Sequence, residues 1–297
     1  MLVPGRNAYR LAESLSSTAN IPIVNVQNKL FPDGENYIRI LETEKVKGST
    51  AVVVETMYPG QNDAFIEILM LLDAVRRLDP RKIVLIVPYL AYSRQDKVFL
   101  EGEPVTGKIV LETMLKYADH MLVYDIHSLE LIRGKTHVKN LLFFDLMVSK
   151  ILEKTRNPVI LAPDKGALHR ARFVAEKLGL EYDYLVKHRD RITGEVAMEP
   201  KTLDIRDRDV VIIDDIISTG GTIAKAARRV LESGARRVYV AATHALLINN
   251  AIDKLMKACV EKLYTIDSLG IRHEDSFIEY VDYYKRLWET VLSIVGG

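Results

Sequence analysis

The residues best equipped for chemistry stand together at Val210-Val211-Ile212-Ile213-Asp214-Asp215-Ile216-Ile217-Ser218-Thr219-Gly220-Gly221-Thr222. An apolar run ends in two acids, and a loop of small hydroxyls and glycines then opens an Ala-rich helix. Glycines let backbone N–H groups turn inward around a phosphate, and Ser218, Thr219 and Thr222 add hydroxyl donors beside a helix N-terminus whose dipole favours an anion. Acids at the carboxyl end of a strand are badly placed for that phosphate but well placed to accept hydrogen bonds from vicinal sugar hydroxyls. The segment therefore predicts a sugar-phosphate site built from Asp214, Asp215, Ser218, Thr219, Gly220, Gly221 and Thr222. An ordinary capped strand-to-helix turn would account for neither the acid pair nor the glycines and hydroxyls that follow it.

A second glycine pattern, Gly102-Glu103-Pro104-Val105-Thr106-Gly107-Lys108-Ile109, nearly spells a P-loop. Ile109 cannot ligate Mg²⁺ as Ser or Thr would, and no long apolar strand precedes Gly102, so a P-loop nucleotide site is rejected.

The elements that must carry these residues are short β-branched runs at 51–55, 82–87, 121–124, 159–161, 210–213 and 238–242. They alternate with segments of helical period such as 64–78, which Asp79-Pro80 stops, and this alternation predicts an α/β fold of doubly wound, mainly parallel sheets. Residues 51–89 and 209–244 share the order strand, loop, amphipathic helix, basic pair, strand. The first copy has Thr56-Met57-Tyr58-Pro59-Gly60-Gln61 where the second has its acids and glycines, so the first half reads either as a degenerate sister of the second or as a chance likeness between two βαβ units. The expected domains are 1–146 and 147–275, followed by a helix over 276–295 on which Tyr280, Tyr283, Tyr284 and Trp288 form an apolar stripe.

Length and composition agree with two packed domains: 297 residues, 48% hydrophobic and 27% charged. A net charge of +1 supplies no field for a long polyanion, which excludes nucleic acid as a partner, and no apolar run approaches a membrane span. No secretory signal pattern opens the chain, and the lone Cys259 predicts a buried small side chain in a reducing, cytoplasmic setting. His244, after Ala242-Thr243 at a strand end, reads as a satisfied core histidine ahead of the alternative that it lines the site.

The acid pair and its loop resemble the phosphoribosyl-diphosphate loop of type I phosphoribosyltransferases and of ribose-phosphate pyrophosphokinases. Further segments choose the pyrophosphokinase by order and spacing: Phe31-Pro32-Asp33-Gly34-Glu35, Pro88-Tyr89-Leu90-Ala91-Tyr92-Ser93-Arg94-Gln95-Asp96, Asp125-Ile126-His127, Ala162-Pro163-Asp164-Lys165-Gly166 and Lys187-His188-Arg189-Asp190-Arg191. A phosphoribosyltransferase would use the same loop without the Phe31 or Arg94 segments. The resemblance implies two type I phosphoribosyltransferase-like domains, the first on the ATP side and rejoined by the terminal helix 276–297, the second binding ribose 5-phosphate. It implies Mg²⁺-dependent transfer of the diphosphate of ATP to ribose 5-phosphate, with Lys187 and Arg189 catalytic on a mobile hairpin or loop, and His127 and Asp164 serving the metal. Arg94 and Gln95 would hold ATP. Phe31, Asp33 and Glu35 would reach the adenine of a neighbouring subunit, making the enzyme a homo-oligomer with a shared site.

The sequence departs from the family pattern after Asp96, where Lys97-Val98-Phe99-Leu100-Glu101-Gly102 replaces a strongly basic stretch, and at Ser218, where many members carry a third acid. The lost cations predict weak or absent control by ADP.

Overall fold

The computed structural model describes residues 1–189 and 196–296, with backbone alone for 187–189 and 196–199. Contacts divide the chain into two units. Unit 1 holds Met1–Leu141, Ser268–Arg272 and Tyr283–Gly297, and unit 2 holds Leu142–Asp267 and His273–Asp282.

Unit 1 runs β1 (Leu2–Pro4), α1 (Tyr9–Ala19), β2 (Val26–Leu30), β3 (Asn36–Ile40), α2 (Thr43–Val46), β4 (Thr50–Val54), α3 (Gln61–Arg76), β5 (Lys82–Val87), α4 (Thr106–Met114), β6 (His120–Tyr124) and β7 (Val138–Leu141). Its parallel sheet has the order β1-β4-β5-β6-β7, following the chain in one direction, while β2 and β3 form a separate antiparallel hairpin. Strands buried on both faces need no polar alternation, which is why they read as continuous Val/Ile/Leu runs. Val53, Leu85 and Val123 pack with Ile68, Leu71 and Leu72 of α3 and Val110 and Leu111 of α4. The alternate residues Val52, Val54, Val84 and Ile86 are equally buried on the other face.

Unit 2 continues with α5 (Phe144–Leu152), β8 (Val159–Ala162), α6 (Leu168–Leu178), β9 (Glu181–Arg189), β10 (Val196–Pro200), β11 (Asp209–Ile217), α7 (Gly221–Glu232), β12 (Arg237–Ala245), α8 (Ala251–Met256), β13 (Val260–Thr265) and β14 (Ile278–Tyr280); α9 (Tyr284–Val295) then rejoins unit 1. The seven-stranded order is β10-β9-β8-β11-β12-β13-β14. Here the chain doubles back: from β8 it goes outward to β9 and β10, then returns to lay β11 on the opposite side of β8. In open α/β sheets the crevice at the carboxyl ends of two such strands is where ligands bind. Ile212, Val240 and Leu263 pack with Ile223, Ala227 and Val230 of α7 and Leu255 of α8. The opposite face belongs to α5 and α6.

Three expectations need correction. The run at 210–213 does not end before the acids: β11 continues to Ile217 because Ile216 and Ile217, both β-branched, stay in ladder with His244 and Ala245 of β12. Residues 276–295 are not one helix. Phe277 and Ile278 are buried, residues 278–280 pair in parallel with β13, and α9 starts only at Tyr284, so Tyr280 belongs to a strand. Cys259 is exposed, held at φ 56° in the turn before β13 instead of packing in the core. His244, by contrast, is buried in β12 as read.

Candidate functional site

The predicted loop forms at the crevice of unit 2. On its β8 side, β11 pairs only from Val210 to Ile212, whereas on its β12 side it pairs through to Ile217. Asp214 and Asp215 are therefore held in register by one neighbour and lie beyond the end of pairing with the other. Asp164 lies just past the carboxyl end of β8, the other strand of the same crevice. Asp214 is half-buried and Asp215 buried. Burial, and the closeness of Asp215, push the Asp214 carboxyl well above the ordinary carboxylate range, while Arg170 pulls it the other way.

After Ile217 the backbone turns through Ser218, Thr219 and Gly220 into α7. Gly220 is its N-cap at φ 72°, a left-handed conformation suited to glycine, and a Cβ there would lie 3.2 Å from the carbonyl oxygen of Ala251. No side chain caps the helix and no acid sits in its first turn, so its leading N–H groups remain donors for an outside anion. Thr219 and Thr222 are exposed and Ser218 is partly so. Lys254 donates from Nζ to the carbonyl oxygen of Thr219 at 3.2 Å, placing a cation beside the loop that sequence reasoning did not single out. Acceptors on the strand and donors on the loop thus stand side by side, an arrangement suited to a diol next to a phosphate.

Asp164 is exposed, and its Oδ1 accepts the backbone N–H groups of Gly166 at 2.8 Å and Ala167 at 3.1 Å, so it ties down the entry to α6 as well as facing outward. Lys187 and Arg189 are on β9, whose backbone pairs with β10 from Leu185↔Pro200 to Arg189↔Val196. The expected hairpin is there, but the side chains of Lys187 and Arg189, and Arg191 altogether, lie outside the described residues.

In unit 1, residues 31–35 form the turn of the β2–β3 hairpin. Phe31 N–H donates to Glu35 O, Gly34 N–H to Phe31 O, and Glu35 N–H to Asp33 Oδ1, the geometry a Pro-Asp-Gly sequence favours. Phe31 stands edge-on to Tyr37 with Lys29 over its ring, while Asp33 and Glu35 are exposed. Arg94 is exposed in the segment after β5, and Gln95 is tied down by Thr106 and, through its carbonyl, by the N–H of Gly107. Gly107 explains the P-loop look-alike: a Cβ on it would meet Leu131 Cδ1 at 2.8 Å and Tyr92 O at 2.9 Å, so this glycine serves packing. His127 is exposed two residues beyond Asp125, which has φ 41°. Among the described residues no group of three or more His, Cys, Asp and Glu side chains converges as a metal cage. The exposed Asp164 carboxylate fits a hard cation that keeps several waters and takes further oxygens from its substrate, and the exposed His127 imidazole suits such a cation through one of those waters.

Two buried carboxylates in unit 1 also went unpredicted. Glu55, just after β4, accepts the N–H of Asn7 at 3.2 Å and that of Thr56 at 3.1 Å, and Glu67 accepts the N–H of Arg6 at 2.7 Å. Burial and then the charge of Glu67 raise Glu55 well above the carboxylate range. A cleft of about 390 Å³ opens at the start of α3, lined by residues 60–63 with Tyr89, Ala91 and Tyr92.

Residues 1–118 match the model of the N-terminal domain of ribose phosphate pyrophosphokinase, and residues 144–267 that of the phosphoribosyl transferase domain. The chain is 44% identical over 268 residues to the ribose-phosphate pyrophosphokinase of Pyrococcus furiosus, covering 89% of this chain and 93% of the relative. It is 40% identical over 290 residues to that of Pyrococcus abyssi, covering 97% and 98%. The crystal structure of phosphoribosylpyrophosphate synthetase from Mycobacterium smegmatis superposes with a TM-score of 0.89 at 25% identity, covering 100% of this chain and 99% of the other.

Proposed function

The chain belongs to the ribose-phosphate pyrophosphokinase family, and from that membership we propose that it moves the β,γ-diphosphate of ATP intact onto the 1-hydroxyl of ribose 5-phosphate. The products are phosphoribosyl diphosphate and AMP. One observation carries the reading: two adjacent acids leave the β8 ladder where an uncapped, glycine-led helix begins.

In this reading Asp214 and Asp215 accept the ring hydroxyls of ribose. The N–H groups of Gly220, Gly221 and Thr222 and the hydroxyls of Ser218, Thr219 and Thr222 hold the 5-phosphate, which leaves the 1-hydroxyl directed toward the diphosphate. The attacked phosphorus is ringed by anionic oxygens, so the protein works by alignment and by neutralising charge. Lys187 and Arg189 supply that charge from the β9–β10 hairpin. Arg94 and Gln95 hold ATP, and Phe31, Asp33 and Glu35 complete the adenine site of a neighbouring subunit in a homo-oligomer. His127 and Asp164 serve Mg²⁺, which when bound neutralises the polyphosphate. Unit 1, closed by α9, forms the ATP side, and unit 2, which includes β14, the ribose side. No helix among the described residues is long and apolar enough to cross a membrane.

The test is incubation with ATP, Mg²⁺ and ribose 5-phosphate, followed by ³¹P NMR. AMP and a new diphosphate ester appear together if the reading holds; ADP in place of AMP, or no turnover, overturns it. ADP inhibition should be no stronger than competition with ATP, since residues 97–102 lack the family's cations. Cooperative inhibition well below that concentration would contradict this expectation.

A further inference from the structure

We propose that Arg170, on α6, is a positioning residue for the sugar-binding acids: its buried guanidinium fixes the Asp215 carboxylate that meets the ribose hydroxyls. The inference rests on the proposed function above, in which Asp215 contacts ribose 5-phosphate.

Strand geometry is the first ground. Side chains alternate along β11, so Asp215 follows Val211 and Ile213 onto one face, while Ile212 packs with α7 and α8 on the other. Asp215 is thereby directed to the face that α5 and α6 cover. There Arg170 Nη2 lies 3.6 Å from Asp215 Oδ2, with the two side chains only 3% and 5% exposed.

The second ground is that stability alone does not account for an arginine at this place. Ala171, Val174 and Ala175 are the other buried residues of α6, and an apolar side chain would suit that face. Desolvating a guanidinium and a carboxylate costs as much as their attraction returns in many buried pairs. Arg172, two positions on, shows the ordinary alternative: 64% exposed and paired with Glu176 one turn along the same helix.

The third ground is connection. The N-terminal end of α6 is tied to Asp164 through the Gly166 and Ala167 N–H groups, and Arg170 lies within the helix's first turn. One short stretch therefore links an acid at the end of β8 to an acid on β11 across the crevice. It sets the spacing of the two strand ends where the substrate must fit.

The test is a cycle built from Arg170→Met, which keeps bulk without charge, Arg170→Lys, which keeps charge, and Asp215→Asn, read by equilibrium titration with ribose 5-phosphate and by steady-state kinetics. R170M should raise Kd and KM for ribose 5-phosphate at least about tenfold with KM for ATP unchanged, and R170K should recover much of the loss. In the D215N background R170M should add little, because its partner's charge is already gone. If R170M folds poorly, the double variant, neutral on both sides, takes its place against D215N alone. Equal behaviour of R170M and R170K, or an undiminished R170M effect on top of D215N, would reduce Arg170 to packing and overturn the inference. An active wild type with unmoved Arg170 variants sinks this inference alone, whereas a wild type that releases no AMP sinks the function beneath it.

Discussion

The segments β4–α3 and β11–α7 have the same plan, a buried parallel strand, a turn with a left-handed glycine N-cap, and an amphipathic helix, yet they differ at each point that matters for an anion. Gly60 caps α3 at φ 74° as Gly220 caps α7 at φ 72°, and neither helix receives a side-chain cap. The first turn of α3 contains Asp63, whereas that of α7 holds no acid. After β4 the acid is Glu55, turned inward onto the N–H of Asn7 in the space that Gly5 leaves; a Cβ on Gly5 would fall 1.8 Å from Glu55 Oε2. After Ile213 the acids stay at a strand edge that its neighbour has left. Backbone plan alone therefore does not distinguish the site proposed for the phosphosugar from its counterpart in unit 1. What separates the two segments is a helix start without an acid and a pair of carboxyls placed where the β8 ladder has already ended.

Substitutions in matched pairs break or sharpen this contrast. The largest effect belongs to the acids: Asp214→Asn with Asp215→Asn should lower kcat/KM for ribose 5-phosphate about 100-fold or more, since a site built to bond hydroxyls discriminates steeply. Glu55→Gln should leave that constant within about threefold, as its carboxyl accepts backbone N–H groups of Asn7 and Thr56 that an amide oxygen can also accept. Equal losses from both, in the same assay, would dissolve the distinction. Next is the helix start. Thr222→Asp places a carboxylate at the N-terminus of α7 and should weaken ribose 5-phosphate binding about tenfold, measured by calorimetry, while Asp63→Asn should not change it.

The glycines come third. Alanine at either position is forced into the left-handed region at a cost of about 1–2 kcal/mol in denaturant unfolding. Gly220→Ala should exceed Gly60→Ala because Ala251 crowds it, while at Gly60 only the Asp63 side chain comes near, at 3.6 Å. The smallest effect is on pH dependence. Glu55 and Asp214 keep their protons in the folded chain where the unfolded chain has lost them, so the folded state binds more protons and stability falls as pH rises from the ordinary carboxylate range toward the raised folded values. Melting curves of Glu55→Gln should lose part of that slope, and an unchanged slope would count against the burial argument.

Much of this contrast is legible in the amino-acid sequence. The Val/Ile runs of β4, β5, β8, β11 and β12 announced buried parallel strands, and the acid–hydroxyl–glycine order announced the loop. Less legible were features set by distant partners. Nothing in residues 168–178 marks Arg170 as inward and Arg172 as outward until β11 supplies Asp215. Glu55 reads as a strand-end acid until residues 5–8 fold over it. The extent of β11 was missed because two charges look like a terminus, whereas the ladder with β12 holds them in the strand. Residues 278–280 looked helical because aromatic spacing suits either period, and pairing with β13 decided it.

The path of the chain between the two units has a practical meaning for anyone who would dissect the molecule. Unit 1 is closed by a segment that comes after the whole of unit 2 in the chain: α9 packs on α1, Tyr283 meets Tyr124 at 5.5 Å between ring centroids, and Lys82 donates to Ile294 O. Unit 2 likewise takes its last strand, β14, from beyond the excursion at 268–272. Cutting the gene at 141 would yield one piece without its closing helix and another trailing it, so neither half is a module that could be cloned or exchanged by a single splice.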